Sequence, residues 1–340
     1  MSVNRVHLEA KRKDEDILYD LYKLRIMSVE QLARRHGYTK GSMYHKLLRL
    51  KNKNLLTTQT IKGFSNGSGI RGKVYRITDK GISYLLREGY DVKGEANALR
   101  ISDMRVPVIL TANDLFEEFS SQGWQTLDSR ELKIKYNLNR GINLNGMLSS
   151  PSDCNYPFYL LLEGVTDNYI KRIIVEIERL NFHNLIFFTK DKDVFQRTFS
   201  EMLKNAEVYT YNSFRVMPFG YGKTYLRYYE DFQVVLNYLD DRFGIQKLEK
   251  HEDRYYQNNF KTVIEYENNE YYLVSMLDYD LTNLHRIRNY TKERFGTDGR
   301  KVLLLSDSRK NVNYEKILGK MDHVEYLYID VNDFMKYPVI

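Results

Sequence analysis

The 340 residues carry a formal net charge of +7, and apolar residues make up 42% of them, as in a globular protein with room for two or three domains. No apolar run approaches the roughly 18 residues of a membrane span, and the charged start has no signal core, so a cytoplasmic protein without a membrane partner is expected. The lone Cys154 cannot form an intramolecular disulfide and lacks partners at the spacing of a structural zinc site.

The positive charge is concentrated in the first third of the chain. Residues 1–105 hold 22 Lys and Arg and 11 Asp and Glu, a balance of +11 that leaves −4 for the rest. No acidic residue occurs from Gln31 to Thr78, a stretch with eleven Lys and Arg. A basic, acid-free surface is typical of polyanion binding, because each neutralised phosphate releases counterions. The alternative is a solvated charged face.

The first predicted elements are three helices. The first has apolar residues at helical spacing, namely Ile17, Leu18, Leu21, Tyr22, Leu24 and Ile26. Ser28 and Gln31 form a capping box for the second helix, which Gly37 ends, and Thr39 caps the third, KGSMYHKLLRLKNKN. Helix, turn and basic helix is the arrangement whose last helix enters a DNA major groove.

Residues 54–88 continue as a strand, a Gly- and Ser-rich tip, a returning strand KVYRI and a helix capped by Thr78. Gly67, Gly72 and Lys73 have the spacing G-x-x-x-x-G-K, which is that of a phosphate-binding loop. Such a loop needs Ser or Thr after the Lys and then a helix, whereas Val74 and a strand follow here. The wing of a winged helix-turn-helix is the favoured interpretation.

DNA contacts are expected from the third helix, the wing and the end of the second helix. Met43, Leu47 and Leu50 face the core in the third helix, which leaves polar and basic residues on its other faces. The predicted contact residues are Arg34, Arg35, Lys40, Ser42, Tyr44, His45, Lys46, Arg49, Arg71 and Lys73. Tyr44 and His45 could equally be packing residues.

The run ILYDLYKLRIMSVEQLARRHGYTKGSMYHKLLRLKNKNLL, followed by GKVYRITDKGISYLL, resembles the N-terminal part of the replication-relaxation family of plasmids and related mobile elements. The resemblance covers about residues 14–90 and implies a role in replicating or relaxing plasmid DNA. It transfers no catalytic residue.

The pattern changes after a polar link near residues 89–98. Short apolar runs alternate with amphipathic helices, which predicts a parallel or mixed sheet. The order then repeats, with FYLLLEG and NLIFFTK in one half and YYLVSML and KVLLLSD in the other. Two related α/β units are inferred, joined by a tyrosine-rich segment at 209–229 and a helix; chance similarity of generic units is the alternative.

Such units look like degenerate restriction-endonuclease-like folds. An active member needs an acid on one strand and acid-x-Lys on the next, so that carboxylates hold magnesium. The nearest fit is Asp128 with Glu131 and Lys133, and these are the only catalytic candidates. The alternative is a scaffold that binds a partner or dimerises. No metal or other cofactor is expected.

The fold class predicted is therefore α+β and α/β: a winged helix-turn-helix over 1–92, a first α/β unit over 99–215, and a linking helix with a second unit over 216–340. The expected function is sequence-specific double-stranded DNA binding in replication of a plasmid or phage-type element, by a homodimer or higher oligomer. The alternatives are a transcriptional regulator and, behind it, a metal-dependent nuclease or relaxase.

Overall fold

The computed structural model describes residues 14–60, 73–205, 208, 210–248, 260–307 and 311–337. Within these residues the protein mixes α-helices with strands that form three sheets. Contacts divide the chain into two compact units, Met1–Ser121 and Gln122–Ile340. The division into three domains stays a prediction. No helix in the described part of the chain is both long enough and apolar enough to cross a bilayer.

The first unit packs helices on a small antiparallel sheet. In chain order its elements are α1 (Asp14–Lys23), β1 (Met27–Ser28), α2 (Val29–Arg35), α3 (Lys40–Asn52), β2 (Leu56–Thr60), β3 (Lys73–Ile77), α4 (Asp79–Arg87) and α5 (Val106–Ser120). The sheet has the order β1-β3-β2. The predicted tip between β2 and β3, with Gly67, Arg71 and Gly72, lies outside the described residues.

The predicted helix caps are confirmed. Ser28 Oγ accepts a hydrogen bond from the Gln31 backbone N–H at 3.2 Å, and Gln31 Oε1 accepts one from Ser28 N–H at 3.1 Å. Thr39 caps α3 and Thr78 caps α4 in the same way, each through its side-chain oxygen. These caps satisfy backbone donors that a helix start leaves without a partner, so they fix where each helix begins.

The first helix ends earlier than its apolar spacing predicts. Arg25 has a left-handed φ of 71°, which ends the helical path, and the chain continues into β1. Ile26 therefore leaves the helical face and packs in a separate cluster with Val74, Val106 and Leu110.

The second unit contains two five-stranded sheets. Elements of the first are β4 (Gln125–Asp128), α6 (Ser129–Lys135), β5 (Gly146–Ser149), β6 (Asn155–Leu161), α7 (Asp167–Ile177), β7 (Asn184–Thr189), α8 (Lys192–Leu203), β8 (Ser213–Pro218) and α9 (Phe219–Tyr229). Elements of the second are α10 (Phe232–Phe243), β9 (Gln246–Lys247), β10 (Val263–Tyr266), β11 (Asn269–Ser275), α11 (Leu281–Asn289), α12 (Lys292–Asp298), β12 (Lys301–Asp307), α13 (Tyr314–Leu318), β13 (Val324–Ile329) and α14 (Val331–Phe334).

The two sheets repeat one topology. Their spatial orders are β4-β5-β6-β7-β8 and β9-β10-β11-β12-β13. In each sheet the first three strands pair antiparallel, and the third, fourth and fifth pair parallel. Residues of both sheets contribute to one hydrophobic cluster, for example Phe187 and Val216 from the first and Tyr272 and Leu304 from the second.

The tyrosine-rich segment is not a plain connection. It contains β8 and α9, where Tyr225 and Tyr229 are buried on one helical face. The predicted boundary between residues 215 and 216 falls inside β8.

Candidate nucleic-acid interface

Helix α3 has a buried side and an exposed side. Met43, Leu47 and Leu50 are buried, as the sequence predicted. Because successive residues turn by about 100°, the opposite side carries Gly41, His45, Leu48 and Asn52, all of which are exposed. We call these four residues, together with the neighbouring Tyr44, the outward face of α3.

The outward face combines aromatic, apolar and polar groups. Tyr44 and Leu48 lie one turn apart and are 49% and 44% exposed. The rings of Tyr44 and His45 meet edge to face with centroids 6.1 Å apart. Helix α3 contains no acidic residue, so nothing on this helix would repel a phosphate backbone.

Two predicted contact residues on α3 form ion pairs with the start of α1. Lys46 Nζ and Arg49 Nη2 both contact the carboxylate of Asp14, Arg49 at 2.7 Å. Burial alone would raise the pKa of Asp14, but the hydrogen bonds and charges of Lys46 and Arg49 outweigh it and hold this pKa below its ordinary value. The Arg49 side chain is 57% exposed and the Lys46 side chain only 17%. Arg49 is therefore the more accessible of the two cations.

The predicted contact residues on α2 also have partners within the first unit. Arg34 Nη2 lies 2.6 Å from Asp114 Oδ1, and its Nε donates to Glu117 Oε1 at 2.8 Å, so Arg34 connects α2 to α5. These carboxylates, Glu117 above all, raise the pKa of Arg34 further. Arg35 donates to Asp20 on α1 at 2.7 Å.

The remaining predicted contacts lie at the helix start and in the hairpin. Lys40 and Glu30 form an exposed ion pair at 2.5 Å. Ser42 is exposed and donates its backbone N–H to the cap Thr39. Lys73 is the exposed first residue of β3. Arg71 lies outside the described residues.

The catalytic candidates surround the start of α6. Asp128 Oδ1 accepts the backbone N–H of Glu131 at 2.7 Å, and Glu131 Oε2 accepts that of Asp128 at 3.2 Å, which makes a capping box. Burial raises the pKa of Asp128, although the backbone N–H groups of Glu131 and Arg130 and the charge of Arg130 oppose the shift. Lys133 donates to the backbone oxygen of Arg140 at 3.0 Å.

Glu131 and Lys133 lie on a helix, where residues two apart do not face each other. On a strand the same acid-x-Lys spacing would put both side chains on one face. The structure thus brings Asp128 and Glu131 together as a helix cap. In the described part of the chain no group of three or more His, Cys, Asp or Glu has the arrangement of a metal site.

Sequence reasoning missed Leu48 and Asn52 on the outward face and the carboxylates that pair with the basic residues. Leu48 was not predicted to be exposed, because an apolar residue in a helix is usually a core residue. Helical spacing could have revealed the exposure of Leu48. Gly41, His45, Leu48 and Asn52 recur at intervals of three or four residues, on the side of the helix opposite Met43, Leu47 and Leu50.

The fold and this surface define a mixed α and β protein with an exposed, acid-free helix in its first unit. Residues 18–133 match the family model described as replication-relaxation. This match confirms the family resemblance predicted from the sequence, and it extends through α5 to α6. Searches of curated proteins and of solved structures found no significant match.

Proposed function

We propose that residues 14–87 form a winged helix-turn-helix that binds duplex DNA. In this proposal α3 enters the major groove with its outward face, and the β2–β3 hairpin is the wing. The observation that carries the proposal is the exposed outward face on a helix without acidic residues, preceded by a capped helix and a tight turn. The order of elements and the antiparallel hairpin support it.

The proposed role is in the replication or relaxation of plasmid or other mobile-element DNA. The family match over residues 18–133 supports this role. A transcriptional regulator would use the same DNA-binding surface, so the location of the bound sites separates the two. Repeated sites inside a replication origin would support the replication role, and a single site over a promoter would support regulation.

A gel-shift titration at several salt concentrations tests the DNA-binding surface. Arg49→Ala is expected to weaken binding and to reduce the salt dependence by about one phosphate contact. Lys46→Ala is expected to weaken binding less, because Lys46 is largely buried against Asp14. Lys171→Ala, an exposed residue of α7 in the second unit, is the matched control. Wild-type affinity in Arg49→Ala, Lys46→Ala and the double variant would contradict Lys46 and Arg49 as DNA contacts.

We further propose that the two α/β units predicted from the sequence, over residues 99–215 and 216–340, are restriction-endonuclease-like scaffolds. In this proposal they bind a partner copy and do not cut DNA. The shared strand topology supports their relationship. The use of Asp128 and Glu131 as a helix cap supports the non-catalytic role. Cleavage of supercoiled DNA in Mg²⁺ or Mn²⁺ that Lys133→Ala abolishes would contradict this proposal and favour the nuclease alternative.

A further inference from the structure

Helix α1 carries three acidic residues in its first turn, Asp14, Glu15 and Asp16. Tyr84 Oη donates to Glu15 Oε1 at 2.7 Å, and Tyr90 Oη donates to Asp16 Oδ1 at 3.1 Å. Asp14 contacts helix α3 instead. The two tyrosines anchor the start of α1, so the Asp14 carboxylate has a fixed position beside α3.

The Asp14 carboxylate faces two cations of α3. Arg49 Nη2 donates to its Oδ2 at 2.7 Å and to its Oδ1 at 2.9 Å, and Lys46 Nζ also donates to Oδ1. Lys46 has a further contact, because its Nζ lies over the ring of Tyr38, 5.4 Å from the centroid. We call Asp14, Lys46 and Arg49 the Asp14 cluster. Its two cations and one carboxylate leave it with a net positive charge.

The Asp14 cluster borders the outward face of α3. Arg49 follows His45 by four residues, so it lies one turn further along the same side of the helix. More than half of the Arg49 side chain is exposed, whereas the Asp14 and Lys46 side chains are largely buried. Arg49 can therefore turn towards a bound phosphate while Lys46 stays with Asp14, so the carboxylate keeps one cation during the exchange.

We propose that Asp14 competes with DNA phosphates for Arg49 and thereby weakens the binding of duplex DNA. This inference rests on the proposed function, because it takes α3 as the helix that contacts DNA. A carboxylate and a phosphate accept from the same guanidinium donors, so a contact of Arg49 with phosphate costs its contact with Asp14. The negative charge of Asp14 also opposes a phosphate beside α3. The stretch from Gln31 to Thr78 contains no acidic residue, and the folded chain brings this carboxylate to α3 from α1.

Gel shifts of the full chain with a random-sequence duplex test the competition, since phosphate contacts dominate the binding of such DNA. Asp14→Asn should tighten binding by about twofold to fivefold, the range of an accessible ion pair, and should steepen the salt dependence by about one phosphate contact. Asp16→Asn is the matched control. It removes the same charge from the same turn of α1, but the Asp16 carboxylate contacts Tyr90 and not a cation of α3, so the affinity should change little.

A double-mutant cycle measures whether Asp14 acts through Arg49. In an Arg49→Ala background, most of the gain from Asp14→Asn should be lost. An equal gain in both backgrounds, or an equal gain from Asp14→Asn and Asp16→Asn, would overturn the inference, because Asp14 would then act by its charge alone. Either result, with weaker binding by Arg49→Ala, would leave the proposed function intact. A wild-type chain that does not bind duplex DNA would contradict the proposed function itself.

Folding is measured separately, because Asp14 also stabilises the chain through its ion pairs. Asp14→Asn should melt below wild type, so tighter binding with a lower melting temperature is expected of a competing carboxylate and not of a merely structural one. Circular dichroism gives the folded fraction of each variant, and the affinities are expressed per folded chain. Asp14→Ser also removes the carboxylate and should give the same gain. A gain in neither variant, per folded chain, would overturn the inference.

Discussion

At the scale of single residues, Leu48 gives the outward face of α3 an apolar group in a basic environment. The thymine methyl group is the apolar feature of the major groove, and apolar side chains are its usual contacts. Leu48 and Tyr44 are large, exposed and one turn apart, so we expect the bound sequence to contain thymines facing this surface.

The prediction for Leu48 is a thymine-specific loss of affinity. Sites selected by the full chain from a random duplex pool would be remade with deoxyuridine, which lacks the methyl group. Leu48→Ala should weaken binding to the thymine duplex by about 1 kcal/mol, the low end of base discrimination, and should have little further effect on the uridine duplex. Equal losses on both duplexes would exclude a methyl contact while leaving DNA binding itself in place.

Asp14 gives a prediction for pH dependence. Its pKa is lowered in the folded chain by Lys46 and Arg49, against the effect of burial. A lowered carboxyl pKa contributes stability that is complete above the unfolded pKa and is lost as the pH falls through the folded one. Asp14→Asn should therefore melt below wild type at pH 7, and the difference should shrink as the pH falls below about 4. A difference that is constant with pH would contradict the ionic role.

At the scale of elements, the packing of α4 on the hairpin depends on the absence of a side chain at Gly81. A Cβ there would lie 2.2 Å from the backbone oxygen of Leu55 and 2.6 Å from Ile77 Cγ1. Backbone cannot move aside as a flexible side chain can, so Gly81→Ala should destabilise the protein by about 1 to 3 kcal/mol.

Gly41→Ala is the matched control for this prediction. A Cβ at Gly41, in the first turn of α3, meets nothing within 4 Å. Alanine is the better helix former, so this variant should keep or raise the melting temperature. Equal destabilisation by both substitutions, measured by chemical denaturation, would contradict the packing argument.

The elements also show which features of this fold are readable from sequence. The starts of α2, α3 and α4 were predictable because Ser28, Thr39 and Thr78 act on donors within a few residues. β1 was not, because two residues become a strand only through pairing with β3. The outward face of α3 was partly predictable, but the carboxylates that pair with Arg34 lie eighty or more residues away, in α5.

At the scale of the whole molecule, a buried ion pair between Arg215 and Asp278 connects the two five-stranded sheets of the second unit. Arg215 belongs to β8, and its Nε lies 3.0 Å from Asp278 Oδ2. Its guanidinium also stacks on the ring of Tyr156, 5.2 Å from the ring centroid. Burial raises the pKa of Asp278 to about 6 although Arg215 opposes the shift. This pair is where the second repeat closes the first sheet.

The prediction at this scale is that Arg215→Met destabilises the protein most at neutral pH. The change removes the cation and leaves the buried carboxylate of Asp278 without its partner. This should lower the free energy of unfolding by about 3 kcal/mol or more. The pKa of Asp278 would then rise further, and a raised carboxyl pKa lowers stability as the pH rises from the unfolded pKa of about 3.9 towards the folded one, so the deficit should shrink on acidification.

Arg215→Met/Asp278→Leu should recover much of this loss, because paired apolar side chains often replace a buried ion pair at little cost. Arg172→Met, an exposed arginine of α7, should change little at any pH. Urea unfolding of the four chains at pH 7 and pH 5 measures these differences. A double variant as unstable as Arg215→Met would contradict the view that the unpaired carboxylate of Asp278 causes the loss.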